Sequence, residues 1–374
     1  ALLYPVSGHW IWAAGGWLYE LGFVDFAGST AVHSVGGWLA LAAVLIIGPR
    51  WGVFEAGGVP KSSHSLVTAT FGVIVLFFGW FGFNGGSLLA FDDRVPQIIL
   101  NTAIAGTAGG LLGLTLSWKR DGYPDIRDFV NGILGGLVSI TACCHCVSTS
   151  ASFAIGAIGG GVAFFSAIWM RRCRVDDVVG AVAAHGFPGV WGTLAVALFG
   201  DLEVLGTGYG RWEQLGVQAL GCAAVFGWSF GAGWLLFRLI DRFQPLRVSL
   251  DDEQVGLNVA EHGASTEILD LLEEMQAHRH RGDFERKVVS DPYTEIGQIA
   301  REYNFVIEKV AREMDDREAA AHRLADERDR AEDMHRQVMD SIVYAQRIQQ
   351  AILPDPAEVE RLLPGSFVVY LPRD

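Results

Sequence analysis

Two histidines stand in apolar surroundings: His33 in "DFAGSTAVHSVGGWLALAAVLIIG" and His185 in "GAVAAHGFPGVWGTL". A titratable imidazole in hydrocarbon is costly, so each position asks for a reason. One reason is local, a buried ring bonded to a neighbouring carbonyl. The other is shared: two imidazoles on separate helices, flanked by Gly and Ala, can meet along one polar path. A third segment adds a patterned face. In "FFGWFGFNGGSLL", Trp80, Phe83, Asn84 and Ser87 recur at i, i+3, i+4 and i+7, placing two aromatics and a hydroxyl on one helical stripe. Alone, that stripe reads as aromatic packing. Beside two membrane histidines it suggests a cation site, since ring faces attract a small cation and a hydroxyl accepts its hydrogen bond. Trp12 supplies another wall from the outer side. Asp25 opens the first span, where it serves either as an N-cap or as a carboxylate that raises the local cation concentration.

Other groups carry less. "ACCHCVS" places Cys143, Cys144, His145 and Cys146 together, but consecutive helical residues diverge around the axis and cannot all converge on one ion. Small buried thiols are the reading there. Paired membrane histidines can also ligate haem, a remote alternative that no second pair and no attachment motif supports.

These side chains must be held by membrane helices. The chain has 374 residues, is 51% hydrophobic and contains 46 Gly and 12 Trp, too apolar and glycine-rich for an average soluble domain. Apolar segments run roughly over 28–48, 66–90, 97–118, 129–147, 153–170, 178–199 and 214–239, each long enough for a hydrocarbon core of ~30 Å. Residues 1–24 read as an approach rich in Trp and Gly that lies at the interface. Connecting loops alternate in charge. Arg50 and Lys61, then Lys119, Arg120 and Arg127, then Arg171, Arg172 and Arg174, then Arg242 and Arg247 follow the odd-numbered segments. The other loops carry Arg94 beside Asp92 and Asp93, then no basic residue, then Arg211 with Asp201 and Glu203. The positive-inside rule makes the first set cytoplasmic and the tail internal. The five cysteines lie in or beside apolar segments, which excludes a secreted disulfide framework. From about residue 264 charges become dense, with acids in excess, and much of the net charge of −14 sits there. That disfavours nucleic acid as a partner, and the interspersed basic residues describe a solvated helical surface. The chain reads as a segment of a longer protein, opening within an apolar stretch and stopping at Asp374.

Taken together, "HWIWAAGGWL", "DFAGSTAVHSVGGW", "GWFGFNGGS", "RVDD…AAHGFPGVWG" and "VGLNVAEHG" resemble the ammonium transporter (Amt/Mep/Rh) family over residues 1–263. The resemblance implies an all-α polytopic bundle of eleven helices, an inverted five-plus-five repeat with one extra, assembled as a trimer in the bacterial inner membrane. The seven segments here correspond to its last seven helices. The first four, with one of two gate phenylalanines, have no counterpart in this sequence. By resemblance, His33 and His185 are the twin pore histidines, Trp12 and Ser87 form the external ammonium-recruitment site, and Asp25 supports that site. Phe83 is then a gate phenylalanine and Trp80 lines the pore. The implied mechanism recruits NH4+, deprotonates it and conducts NH3. A bare ammonium ion pays a heavy desolvation cost in an apolar pore, and imidazoles that titrate near neutrality can pass on a proton or a hydrogen bond.

The remainder resembles a signalling output. "TEIGQIAREYN" resembles the start of the second helix of HAMP-type relays, within a linker over 264–340; the preceding membrane domain, 1–263, ends in a cytoplasmic segment of its own from about 241. Ala331, Met334, Val338, Ser341, Ala345, Ile348 and Ile352 alternate by three and four, a coiled-coil seam. "AQRIQQAILP" and the strand-like "SFVVYLPRD" resemble the lead-in of SpoIIE/RsbU-type serine phosphatases, so 341–374 is the start of an α/β domain cut short. That family uses Mn or Mg held by aspartates beyond this point, and its targets are phosphoproteins. No catalytic residue carries over, and Asp374 alone makes no metal site. No cofactor is expected within these residues. The expected function is an ammonium channel domain used as a sensor; the alternative is a plain transporter with a regulatory tail.

Overall fold

Apolar helices dominate the computed structural model, which describes residues 2–54, 65–263, 267–281, 284, 287–288, 294–367 and 369. Lys61 and parts of the expected linker lie outside the described residues. Two compact units divide the chain, residues 1–256 and 257–374.

In the first unit, α1 (Tyr4–Trp12) and α2 (Trp17–Glu20) lead to a π-helical turn, Ser29–Ser34, that runs into α3 (Val35–Ile47). Then come α4 (Leu66–Gly86), α5 (Val95–Asp121), α6 (Ile126–Ile140) and α7 (Thr149–Arg172). A second π-helical turn, Val182–Gly186, opens α8 (Phe187–Phe199). The short α9 (Leu202–Leu205), the long α10 (Arg211–Phe243) and α11 (Leu250–Val255) follow. Six of these helical stretches are long and apolar enough to cross a membrane: 29–47, 66–86, 95–121, 149–172, 182–199 and 211–243.

The segment expected over 129–147 departs from the others. Its helix α6 has 15 residues and stops at Ile140, a length of about 22 Å against the ~30 Å core. The rest of the apolar run leaves the helix because other elements take its polar groups. The Phe26 and Ala27 amides donate to the carbonyls of Ala142 and Thr141, both at 3.1 Å. Ser29 Oγ donates to the Val138 carbonyl at 2.6 Å and accepts from the Ala142 amide at 2.7 Å. Asn101 on α5 donates to the Cys144 and Val147 carbonyls at 2.9 and 3.0 Å. Irregular backbone at membrane depth survives only when protein satisfies it in this way.

Around that segment α5, α6 and α7 pack through small residues. A Cβ at Gly109, Gly132, Gly136, Gly156 or Gly160 would run into the backbone of the facing helix, the close approach that small residues permit in membranes. In contrast, α4 leaves Val67, Phe71, Ile74 and Phe78 exposed.

The second unit holds α12 (Leu257–His262), α13 (Glu267–Arg281), α14 (Glu295–Ile352) and α15 (Pro356–Leu362). Leu271, Val288 and Ala300 form a small core with Met275, Ile296 and Tyr303. Asn304 pins Val288 through its amide and its carbonyl, each at 2.9 Å. Thr294 caps α14, its hydroxyl accepting from the Gly297 amide at 2.9 Å. The 58 residues of α14 extend about 87 Å at the usual rise. Within the expected strand "SFVVYLPRD", Ser366, Phe367 and Val369 carry no strand, and the other residues lie outside the described set. Among the described residues there is no β-strand.

Candidate functional site

The turn that carries His33 is built by Asp25. Its Oδ1 accepts from the Gly28 and Ser29 amides at 3.0 and 2.8 Å, and its Oδ2 from the Thr30 and Ala31 amides, both at 2.8 Å. Those donors are the first of the helix, the ones with no intrahelical partner. Gly28 adopts φ +115°, where a Cβ would strike Val32. Its carbonyl then accepts from both Val32 and His33 amides at 3.0 Å, and the latter bond is the wide i→i+5 step of a π-turn. Asp177 builds the second turn in the same way. It accepts from the Ala183 amide at 3.0 Å, Gly180 adopts φ +74°, and His185 follows within the π-turn. Burial pushes the Asp177 carboxyl above its ordinary pKa, against backbone bonds from Ala183, Val182 and Ala181 that pull it down.

These two turns press together. Gly37 lies against the backbone of Gly186 and His185, and Gly189 lies against Ser34 and the Ser29 carbonyl. Ser34 Oγ donates to the Gly186 carbonyl at 3.2 Å. The result is a histidine pair: the rings of His33 and His185 are 5.3 Å apart and within 18° of parallel. On its other side His33 lies 4.9 Å from the Trp80 ring, at 17°, and meets the edge of Phe83 at 5.7 Å. The Trp80 indole is fixed by its N–H, which donates to Thr141 Oγ1 at 2.9 Å, while that hydroxyl donates to the Leu137 carbonyl at 2.7 Å. His33 Nε2 and His185 Nδ1 are buried and bond to no protein atom. An unsatisfied buried polar atom costs about 1–3 kcal/mol, so these two nitrogens add nothing to stability. Imidazoles this close leave no gap for a porphyrin between them.

The remaining expected residues fall in two places. Trp12 is half exposed, and its indole N–H donates to the Asp25 carbonyl at 2.7 Å. Asp25 itself is buried, with both carboxylate oxygens committed to backbone amides, so it supports Trp12 through its carbonyl and the turn through its side chain. Ser87 sits at the end of α4, where its hydroxyl donates to the Phe83 carbonyl at 2.8 Å. Asn84 leaves the stripe. It turns to α5, donating to Thr102 Oγ1 at 3.0 Å. His145 lies apart from the pair, stacked on Phe26 at 4.3 Å. The thiols of Cys143, Cys144 and Cys146 point to backbone carbonyls. Among the described residues no three His, Cys, Asp or Glu side chains gather as a metal site.

Residues 1–267 match the model of the Ammonium Transporter Family. The chain belongs to that family. The ammonium transporter Amt2 of Archaeoglobus fulgidus is 41% identical over 287 residues, 71% of this chain and 61% of that protein. A solved structure described as a sensor Amt protein superposes with TM-score 0.67 at 42% identity, covering 70% of this chain and 67% of its own. Mep2 of Candida albicans superposes with TM-score 0.62 at 31% identity, covering 67% and 58%. The chain thus spans 61% of the length of the curated relative Amt2.

In this ammonium transporter family member, the far ends of both histidine elements meet in one charged network. Arg50, just past α3, holds Asp176 through Nε at 2.8 Å, Nη2 at 2.9 Å and its own amide at 3.0 Å. The Asp176 carboxylate holds the Arg50 guanidinium above its ordinary pKa. Asp176 adjoins Asp177, the cap of the His185 turn. Glu253 accepts from the Trp51 amide and from Arg247, both at 2.7 Å. Arg247 also donates to the Ile47 and Pro49 carbonyls at 3.1 and 2.7 Å. The segment after α10 is thereby tied to the end of the His33 helix.

Sequence reasoning missed Thr141, Asp177 and the π-turns. A signal for the turns was present: Asp25, Gly28 and His33 are spaced as Asp177, Gly180 and His185. Thr141 tests the support of Trp80. Thr141→Val leaves the buried indole N–H without its hydroxyl acceptor, at about 1–3 kcal/mol. The expected outcome is a lowered unfolding midpoint in detergent, restored in Thr141→Ser.

Proposed function

We propose that the membrane unit recruits ammonium at an outer site of Trp12 and Ser87 that Asp25 supports, releases its proton to water on that outer side, and conducts ammonia past the gate residue Phe83 and past His33 and His185. The observation that carries this reading is the histidine pair with one buried, unpartnered nitrogen on each ring. Such nitrogens offer an ammonia molecule a hydrogen bond that the apolar walls do not, while a bare cation would pay its full desolvation there. The aromatic faces at the outer end attract the cation before it loses its proton. The Trp80 ring keeps His33 oriented.

The reading extends to a sensor. Ammonium in the membrane unit biases the segment after α10, and the HAMP-like α13–α14 unit passes the change to a serine phosphatase of the SpoIIE/RsbU type. Two observations support it: the network that joins Arg247 and Glu253 to both histidine elements, and the resemblance to a structure described as a sensor Amt protein. The protein then resides in a bacterial inner membrane as a homotrimer with its tail inside and acts on a phosphoprotein. Plain transport with a regulatory tail is the second reading, and the same network favours it equally.

Phosphatase output of the full-length protein, with and without ammonium, separates them. The sensor reading expects output to change with ammonium, and expects Glu253→Gln to weaken that response while methylammonium uptake persists. Output indifferent to ammonium discards the sensor and leaves the transporter.

A further inference from the structure

The gap between the two histidine rings is set by backbone contact. Gly37, on α3, lies so close to the His185 turn that a Cβ there would run into the Gly186 nitrogen and Cα and the carbonyl carbon of His185. From another side, a Cβ on Gly186 would come within 3.1 Å of the Trp38 ring. Two consecutive residues of α3, the helix that the His33 turn opens, thus grip Gly186. Trp38 is itself wedged. It is 5% exposed and packs T-shaped on Phe187 at 5.3 Å and on Phe226 of α10 at 5.0 Å. Phe226 in turn stacks on Phe230 at 5.5 Å. The Trp38 indole N–H bonds to no protein atom, so packing alone fixes this ring. On the far side His33 rests on Trp80, which Thr141 holds. With His33 backed in this way, the place of the His185 turn decides how far apart the two rings stand. A closely packed interior transmits a displacement instead of absorbing it. A methyl added at Gly37 has only backbone to push against, so it drives the His185 turn off α3 and widens the pair. The neighbouring Gly36 has open space, and a Cβ there meets nothing within 4 Å.

We infer that Gly37 and Trp38 are positioning residues that set the size of amine the histidine pair lets pass. Ammonia and methylamine go by, and ethylamine, one methylene longer, is held back. Both residues act through the backbone of Gly186, without contact with the amine. The inference rests on the conduction reading above and adds a size limit to it. A site that fits its substrate closely discriminates one methylene by about 10–200-fold.

Paired uptake of radiolabelled methylammonium and ethylammonium, by cells that carry the full-length protein and lack other ammonium carriers, tests the limit. The ratio of the two rates does not depend on how much folded protein reaches the membrane, so a merely structural role leaves it unmoved. The unaltered protein favours methylammonium by about tenfold or more, and Gly37→Ala lowers that preference to about twofold. Gly36→Ala keeps it. Trp38→Leu, which frees the His185 turn from behind, lowers it as well, whereas Trp38→Phe keeps a ring against Gly186 and retains most of it. If Gly37→Ala yields no folded protein, the two Trp38 variants decide the matter. Equal uptake of both amines by the unaltered protein overturns the size limit and leaves conduction standing. So does a folded Gly37→Ala or Trp38→Leu protein with the unaltered preference, or a Gly36→Ala protein that loses it. An unaltered protein that takes up neither amine removes the conduction reading, and the size limit falls with it.

Discussion

His33→Ala and His185→Ala are each expected to lower methylammonium uptake by the full-length protein about a hundredfold, the equivalent of about 2.7 kcal/mol at the conduction barrier. The size follows from what the substitutions remove. Each deletes an orphan nitrogen that offers a hydrogen bond along an apolar path, and the two rings, 5.3 Å apart, work as one unit. The double variant therefore falls little below either single one, because residues that act together are not additive. His145→Ala is the control. That ring is also buried with an unpartnered nitrogen, but it stacks on Phe26 away from the pair. Its loss leaves uptake near the level of the unaltered protein. Uptake assays in cells that lack other ammonium carriers measure all four variants.

Asp25→Ala is expected to abolish the folded membrane unit. The carboxylate accepts from four backbone amides at 2.8–3.0 Å, in a residue 4% exposed. Leaving several buried donors without acceptors costs on the order of 4 kcal/mol or more, a large part of an ordinary stability margin. Asp25→Asn separates structure from charge. Its single carbonyl oxygen restores part of the cap, so a folded Asn variant with weakened uptake would assign the carboxylate's charge a role in attracting the cation. The yield of folded protein and its unfolding midpoint in detergent, taken with uptake, report both effects.

The histidines were legible in the sequence because a titratable ring in an apolar run has few reasons to be there. Trp80 and Phe83 were legible because helical spacing puts them on one stripe, and both reach His33. The same spacing misled at Asn84. Residues one apart diverge by about 100°, and Asn84 turns to Thr102 although Phe83 faces the pair. The apolar run over 129–147 promised a full span, yet Asn101 and Ser29, distant in sequence, hold its second half out of the helix. Hydropathy cannot register that, because the competing hydrogen bonds come from other elements. The π-turns were hidden for a related reason. They depend on Asp25 and Asp177 reaching forward over a glycine, a spacing visible only when the two halves of the unit are set side by side. The side chain of Asp25 caps the turn, and its carbonyl holds Trp12.

The central claim is that ammonium is met by the unpartnered nitrogens of His33 and His185. Nitrogen-15 NMR of the histidine rings in bilayer-embedded, full-length protein observes those atoms directly. The account predicts that adding ammonium shifts His33 Nε2 and His185 Nδ1, with the His145 ring unmoved. Signals of the pair that ignore ammonium, or a His145 shift of equal size, would contradict it.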